Sequence, residues 1–310
     1  MKIKGFILAF IASATYGLNP LFALPLMAVG MDPVSILLFR YLLAVPIVGL
    51  IMVARKKSLR VTLAEAGILA VLGILVGVSS LTLFESYRYM DAGIASTLLF
   101  VYPVMVALIM MMFFREKVRA VTVISLAMTL LGIGLLYKGE GGVTLSAVGT
   151  LLVMGSALSY ALYIVGVNRT RASRIPTLTV TFYVLLFGML VFAADIFADP
   201  SSMTMPHGWE GWGGVLALAL LPTVISFFCT TMAINTIGST PTAILGSMEP
   251  VTAVVIGITV FGETLTGRDV AGLLLILVAV TLVVAGGSIA RPLLAIRKLF
   301  PVGMNRKLRK

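Results

Sequence analysis

Apolar residues run almost unbroken along the chain, without the alternation of a half-buried strand or the charged stripe of a soluble helix. The runs predict ten membrane spans, at about 5–27, 34–54, 65–85, 92–114, 120–137, 146–167, 176–197, 212–235, 240–261 and 268–287. Most approach the roughly 20 residues that a helix needs to cross a hydrocarbon core. Hydrocarbon offers unpaired backbone groups no partner, so the choice lies between helices and a closed barrel. Continuous runs, rather than ten-residue alternating segments, exclude the barrel. The 120–137 stretch is short for a full crossing. Connections are brief; the longest, about 198–211, carries His207, and Trp209 and Trp212 read as interface anchors.

One spacing occurs twice. Tyr102-Pro103-Val104 is followed, thirteen residues after the proline, by Glu116; Glu249-Pro250-Val251 is followed at the same distance by Glu263. The copies lie 147 residues apart, close to half the chain, and each opens from a run of small residues. A fixed offset marks an internal repeat. The halves are then 5–137 and 146–287, with a basic tail at 288–310. Five spans per copy is an odd number, so the second copy enters from the opposite side and the Glu116 and Glu263 turns face opposite sides. The expected fold is an all-α integral membrane protein: ten transmembrane helices in two inverted five-helix repeats around a central cavity. Inverted repeats suit alternating access, because moving one half against the other changes which side is closed.

Composition and charge refine this picture. Hydrophobic residues make up 60% of the chain and charged residues 11%, with mean hydropathy +1.11; soluble chains carry about 25% charge. The single Cys229 excludes an internal disulfide framework. With both termini cytoplasmic, nineteen of the 23 Lys and Arg fall on the inner side, three (Arg88, Lys138, Arg268) fall outside and Arg40 lies within a span. That bias follows the positive-inside rule and accounts for the +11 net charge without nucleic acid. The segment from Arg291 to Phe300 reads either as a short basic helix on the inner leaflet or as a disordered basic stop. Met1-Lys2-Ile3-Lys4 reads as a cytoplasmic flank, since no small-residue cleavage site with a polar mature chain follows.

The two proline-to-glutamate spacings resemble those of the drug/metabolite transporter superfamily, in its ten-helix form with two EamA-type domains. The small-residue openings Ala12-Ser13-Ala14-Thr15-Tyr16-Gly17 and Gly155-Ser156-Ala157-Leu158-Ser159-Tyr160 add to the resemblance, which covers about residues 5–287. It implies a bacterial inner-membrane carrier, often an exporter of amino acids or other small metabolites. It also implies a central cavity lined by spans 1, 3, 4, 6, 8 and 9. The copies differ at one level: Tyr102 stands where the second copy has Glu249, so no symmetric carboxylate pair exists there.

Glu249 sits near the middle of its span. An ionised carboxylate at that depth is costly, and such residues usually face a cavity or a partner. It is a candidate proton site or ligand for a substrate ammonium; the alternative is a protonated acid bonded to a neighbouring helix beside the break at Pro250. Tyr102 is a candidate lining residue, with Pro103 freeing a backbone carbonyl one turn earlier. Asn19-Pro20 marks a break in span 1, and Tyr16 and Asn19 could face the cavity with Tyr160 and Tyr163 of span 6. Arg40 and Glu85 are candidates for an outer gate; Arg40 could instead snorkel or meet a substrate carboxylate, and Glu85 could pair with Arg88. Glu116 and Glu263 read as structural residues at turns, where a carboxylate accepts N–H groups at a helix start. Phe113-Phe114 and Phe227-Phe228 are candidate apolar plugs. Gly73, Gly77, Gly132, Gly134, Gly149 and Gly155 permit close helix contact.

The chain carries one His and no HExxH, CxxC, phosphate-cradling or dinucleotide motif. No catalytic residue, metal site or cofactor is therefore assigned, and self-contained ATP-driven pumping is excluded. The expected partners are a small-molecule substrate, protons and membrane lipids, with the oligomeric state open. A midplane glutamate among tyrosines favours a cationic or zwitterionic cargo, and the scarcity of buried Lys and Arg argues against a highly phosphorylated one. Amino acids or related metabolites lead. Efflux of drugs or lipophilic cations, a passive channel and a membrane enzyme are the alternatives.

Overall fold

The computed structural model describes residues 2–90, 95, 98–116, 119–136, 146–259, 267–268, 270–279 and 281–282. Among these residues every regular element is a helix. Six helices are long and apolar enough to cross a membrane: Lys2–Ala28, Pro33–Ala54, Leu63–Ser86, Ala147–Arg169, Thr177–Ala198 and Gly208–Ile237. The all-α membrane class holds, but ten full-length spans do not appear among the described residues. The remaining four segments contribute shorter helices, Tyr102–Phe114, Ala120–Leu136, Val270–Ala279 and the pair Ser239–Leu245 and Met248–Thr259. Glu263 and the 288–310 tail lie outside the described residues.

Three crossings are broken, and local chemistry explains each break. Span 1 consists of α1 (Lys2–Tyr16) and α2 (Asn19–Ala28), parted at Gly17-Leu18, with Pro20 in the first turn of α2. Helices α3 (Pro33–Ala54), α4 (Leu63–Ser86), α5 (Tyr102–Phe114), α6 (Ala120–Leu136), α7 (Ala147–Arg169) and α8 (Thr177–Ala198) follow. Span 8 then runs as α9 (Gly208–Leu218), a π-helical segment (Ala219–Ile225) and α10 (Ser226–Ile237). Pro222 lacks the N–H that would reach Leu218 O, and the Thr223 hydroxyl donates to that carbonyl instead, at 2.7 Å. Gly238, at φ +92°, ends α10 in a conformation that favours glycine. Span 9 is α11 (Ser239–Leu245) and α12 (Met248–Thr259). Pro250 cannot donate to Gly246 O, and the Glu249 N–H takes that carbonyl at 2.9 Å.

Helix starts carry ordinary polar caps. Asp32 accepts from Val34 N and Ser146 from Gly149 N. Thr62 and Glu65 form a reciprocal capping box.

The closest packing joins residues of the first half to residues of the second: α4 against α7 and α8, α3 against α8, and α1 against α10. Lipid tails are as apolar as leucine, so such contacts depend on close approach rather than on a hydrophobic drive. A Cβ at Gly73 would stand 2.8 Å from Val184 O, and one at Gly188 would stand 3.1 Å from Gly73 O. Gly134 and Gly155 face open space and make no such contact. Ser79 and Ser156 join α4 to α7 through a 2.6 Å bond from Ser156 Oγ to Ser79 O.

Polar contacts sort the loops into two ends of the bundle. At one end, Asp32, Glu85, Arg88, Ser202 and Thr204 meet. At the other, Ser58 and Leu59 receive Thr179 and Tyr183, and Glu116 meets Arg169.

Candidate functional site

Where the broken crossings meet α5 and α7, a polar cavity opens inside the bundle. Helix α1 contributes Ser13 and Tyr16, α5 contributes Tyr102, α7 contributes Tyr160, and α10 contributes Ser226 and Thr230. Thr242 of α11, Gly246 and Glu249 complete the wall. The empty space, open mouth included, is ≈ 330 Å³, with room at its centre for little more than water. Among the described residues, the Glu249 side chain has no hydrogen bond and no ion pair. The alternative of an acid bonded to a neighbouring helix is not the arrangement seen among the described residues.

The wall is built from close approaches. Glu249 O lies 2.7 Å from where a Cβ on Gly17 would sit, so α1 runs directly against the start of α12. Tyr102 donates its hydroxyl to Ala243 O at 3.1 Å, tying α5 to α11. Ser226 donates to Ala12 O at 2.9 Å and holds α10 against α1. The rings form a chain: Phe100 to Tyr102 at 6.0 Å, Tyr102 to Tyr160 at 5.0 Å, Tyr160 to Tyr163 at 6.0 Å and Tyr163 to Phe227 at 6.1 Å. Edge-to-face and offset contacts of this kind each add about 0.5–1.5 kcal/mol.

The expected site residues thus separate into groups. Tyr16, Tyr102, Tyr160 and Glu249 share the cavity. Tyr163 stands one layer behind, 1% exposed, with its hydroxyl 3.5 Å from Thr231 Oγ1. Asn19 does not face the cavity; its Oδ1 accepts Arg40 Nη1 at 2.8 Å. Arg40 is 1% exposed, so it does not snorkel. It donates through Nε to Thr223 Oγ1 and through Nη2 to Pro222 O at 3.1 Å.

Arg40 and Glu85 are not paired. Glu85 meets Arg88 at 3.2 Å, and Arg88 also reaches Asp32 at 2.7 Å. The carboxylate of Glu116 receives Arg169 at 3.1 Å from the other half, and Arg169 lies 5.0 Å above the Phe114 ring; residues 117 and 118, which lead into the next helix, lie outside the described residues. Phe113 is 74% exposed and faces out of the bundle, so it is no plug. Backbone positions are described for Pro20 and Pro250 in the first turns of α2 and α12, and Pro103 is buried at the start of α5. Trp212 packs edge-on against Phe39, with ring centroids 5.6 Å apart, and Trp209 is largely exposed.

Sequence reasoning missed Thr223, the Arg40 cradle, and the serine and threonine hydroxyls of the wall. Pro222 within an apolar run was the available signal for the first two. Ser226 and Thr230 carry no pattern that separates them from ordinary membrane-helix hydroxyls. Among the described residues, no group of three or more His, Cys, Asp or Glu is placed to hold a metal ion.

A multi-pass helical bundle around a polar interior cavity has the architecture of a membrane carrier. The chain belongs to the EamA-like transporter family, whose model matches it twice, at residues 3–138 and 147–285. It is 28% identical over 223 residues to the threonine/homoserine exporter RhtA of Escherichia coli, covering 70% of this chain and 71% of that protein. The RhtA of Salmonella typhimurium is 29% identical over 236 residues, covering 74% and 76%. An uncharacterized transporter of Bacillus subtilis, YdfC, is 26% identical over 178 residues, and the match spans 57% of each chain. A solved crystal structure, 21% identical, superposes with TM-score 0.78 over 93% of this chain and 98% of its own, a likeness of fold.

Proposed function

We propose that the protein is a secondary transporter that exports small zwitterionic or cationic metabolites, foremost amino acids, by alternating access. The observation that carries this reading is the cavity between residues of the two halves, where the Glu249 carboxylate, without a hydrogen-bond or ion-pair partner among the described residues, faces Tyr16, Tyr102 and Tyr160. A buried carboxylate without a partner is costly, and a cation or a proton relieves that cost. The narrowness of the cavity fits a form closed around the site, which must widen before a metabolite enters. The threonine and homoserine named for RhtA supply the first cargo to test. Residues 5–137 and 146–287 act as the two moving halves, inverted in the membrane, with both termini on the cytoplasmic side, an orientation that the Lys and Arg bias supports. Proton coupling at Glu249 belongs to the same proposal.

The test is uptake into proteoliposomes across a panel of amino acids and organic cations, with and without an imposed pH gradient. Native protein is compared with Glu249→Gln. Saturable, gradient-dependent flux is expected for the native protein, and the variant should reach the membrane folded but lose transport or its pH dependence. Native-like transport by Glu249→Gln with an unchanged pH profile would overturn the assigned role.

Tyrosine rings around a carboxylate would also suit a lipophilic cation, and the organic-cation half of the panel decides that second reading.

A further inference from the structure

The bundle buries a second charged side chain that the cavity reading does not use. Arg40 has, among the described residues, no carboxylate within ion-pair distance. The ion pairs found there join Arg88 to Asp32 and Glu85, and Arg169 to Glu116, all at the ends of the bundle. The guanidinium is held by neutral groups: it donates to Asn19 Oδ1, Thr223 Oγ1 and Pro222 O, and its Cζ lies 5.9 Å from the ring centroids of Tyr16 and Tyr41. An uncompensated buried cation is among the costlier things a protein can retain.

Its cradle is built from two of the broken crossings. Asn19 opens α2 just after the gap in span 1, and Pro222 and Thr223 lie in the π segment of span 8. Each of the three guanidinium nitrogens has one such partner. A guanidinium carries five N–H groups, so two remain, one on each terminal nitrogen. Terminal-nitrogen donors of this kind are what a carboxylate accepts from on an arginine.

Tyr16 connects this cradle to the cavity. Its ring centroid lies 5.9 Å from Arg40 Cζ, and the same side chain lines the cavity with Glu249. It stands within electrostatic reach of both charges.

We propose that Arg40 is the carboxylate anchor of the transport site. The cargo is then a free α-amino acid, its carboxylate on Arg40 and its ammonium on Glu249, with Tyr16 turning aside to admit it. This rests on the carrier reading above and narrows it: one cation and one anion, each lacking a counter-charge among the described residues, are the complement of a zwitterion.

The test uses full-length protein in proteoliposomes. Counterflow is first measured for the twenty standard amino acids and for a lipophilic cation, tetraphenylphosphonium. The best amino acid then competes against its own amide and its own decarboxylated amine. Expected is inhibition by the free acid, with amide and amine weaker by about 10–100-fold, the range that follows from losing charge-assisted hydrogen bonds. Arg40→Lys, which keeps the charge and loses the fork, should narrow that preference. Thermal protection of native protein in detergent should follow the same order, so the result survives a variant that fails to fold. Equal competition by acid, amide and amine overturns the anchor. Saturable flux of the lipophilic cation without any amino acid overturns the anchor and leaves the carrier reading standing. Flux of neither probe class removes both.

Discussion

Gly246 allows a sharp test of how the cavity wall is built. It lies at the joint between α11 and α12, and a Cβ there would fall 1.6 Å from Tyr102 Oη and 2.9 Å from Tyr102 Cζ. The backbone at Gly246 is helical, φ −53°, so alanine meets no conformational penalty and the effect is one of space alone. To reach an ordinary carbon–oxygen contact of about 3.3 Å the hydroxyl must move by roughly 1.7 Å. Tyr102 is 3% exposed and packed between Phe100 and Tyr160, so it has little room to do so. The move breaks its bond to Ala243 O. Losing that bond costs about 1 kcal/mol and the overpacking about 1–3 kcal/mol. Gly246→Ala should therefore destabilise by about 2–4 kcal/mol, measured as reversible unfolding in mixed detergent micelles by circular dichroism. Tyr102→Phe alone should cost about 1 kcal/mol. The double variant should be less destabilised than the two effects added, by about 1 kcal/mol or more, because removing the oxygen relieves the worst overlap. Additivity within about 0.5 kcal/mol, or a Gly246→Ala protein as stable as native, would refute the reasoning.

Two further outcomes follow from the packing. Gly73→Ala should destabilise by about 1–3 kcal/mol in the same assay, since its Cβ would meet Val184 O and the Gly188 N–H of α8. Gly134→Ala and Gly155→Ala, which face open space, should be neutral or gain up to about 1 kcal/mol from helix propensity; equal losses at all three sites would remove the close-contact argument. Arg169→Glu should cost about 1 kcal/mol or less in stability, because both partners of its ion pair are substantially exposed. Reversing the pair with Glu116→Arg should restore much of that loss, and a double variant no better than the single would show that the pair contributes nothing.

Much of the framework was legible because bilayer physics leaves few options. The unbroken apolar runs could only be helices, and their edges agree with the six long helices to within about four residues. Proline marked the breaks at Asn19-Pro20 and Pro250, and position along its span singled out Glu249. The partners did not follow. Arg40 and Glu85 begin and end successive spans at the same end of the bundle, so depth alone suggested a pair. Depth does not fix azimuth, and Arg40 turns to Asn19 and Thr223 while Glu85 turns to Arg88. Glu116 read as a local cap because its sequence neighbours are a helix end and a helix start. Its actual partner, Arg169, lies 53 residues away in the other half, a contact that only the packing of α5 against α7 creates. The short α5 has a similar origin. A 13-residue α5 rises only about 20 Å, and an unbroken apolar run does not reveal where helical hydrogen bonding stops.

The two ends of the bundle are held with unequal strength, and in the proposed alternating-access carrier this sets which end opens first. At the end that carries Glu116, the one ion pair between the halves among the described residues is exposed on both sides, and such pairs contribute about 0–1 kcal/mol; the Tyr183 bond to Leu59 O there is also exposed, and the Thr179 bond to Ser58 O is long, at 3.3 Å. At the opposite end the links are buried or half-buried. Ser35, 0% exposed, donates to Ser202 O at 2.7 Å and accepts from Thr204 N at 2.8 Å, and the Asp32 N–H donates to Thr204 Oγ1 at 2.7 Å. Breaking three such bonds while leaving their groups dry costs about 1–3 kcal/mol each. Opening toward Glu116 and Arg169 is therefore the cheaper motion. On the charge-based orientation that end is cytoplasmic, the side from which an exporter loads. A thiol at the cavity wall reports the difference: Cys229→Ala with Thr230→Cys, labelled by a membrane-impermeant maleimide in inside-out and right-side-out vesicles. Labelling should be faster from the Glu116 face and faster still when Arg169→Glu is added. Equal rates from both faces, or faster labelling from the Ser35 face, would show that these links do not govern access.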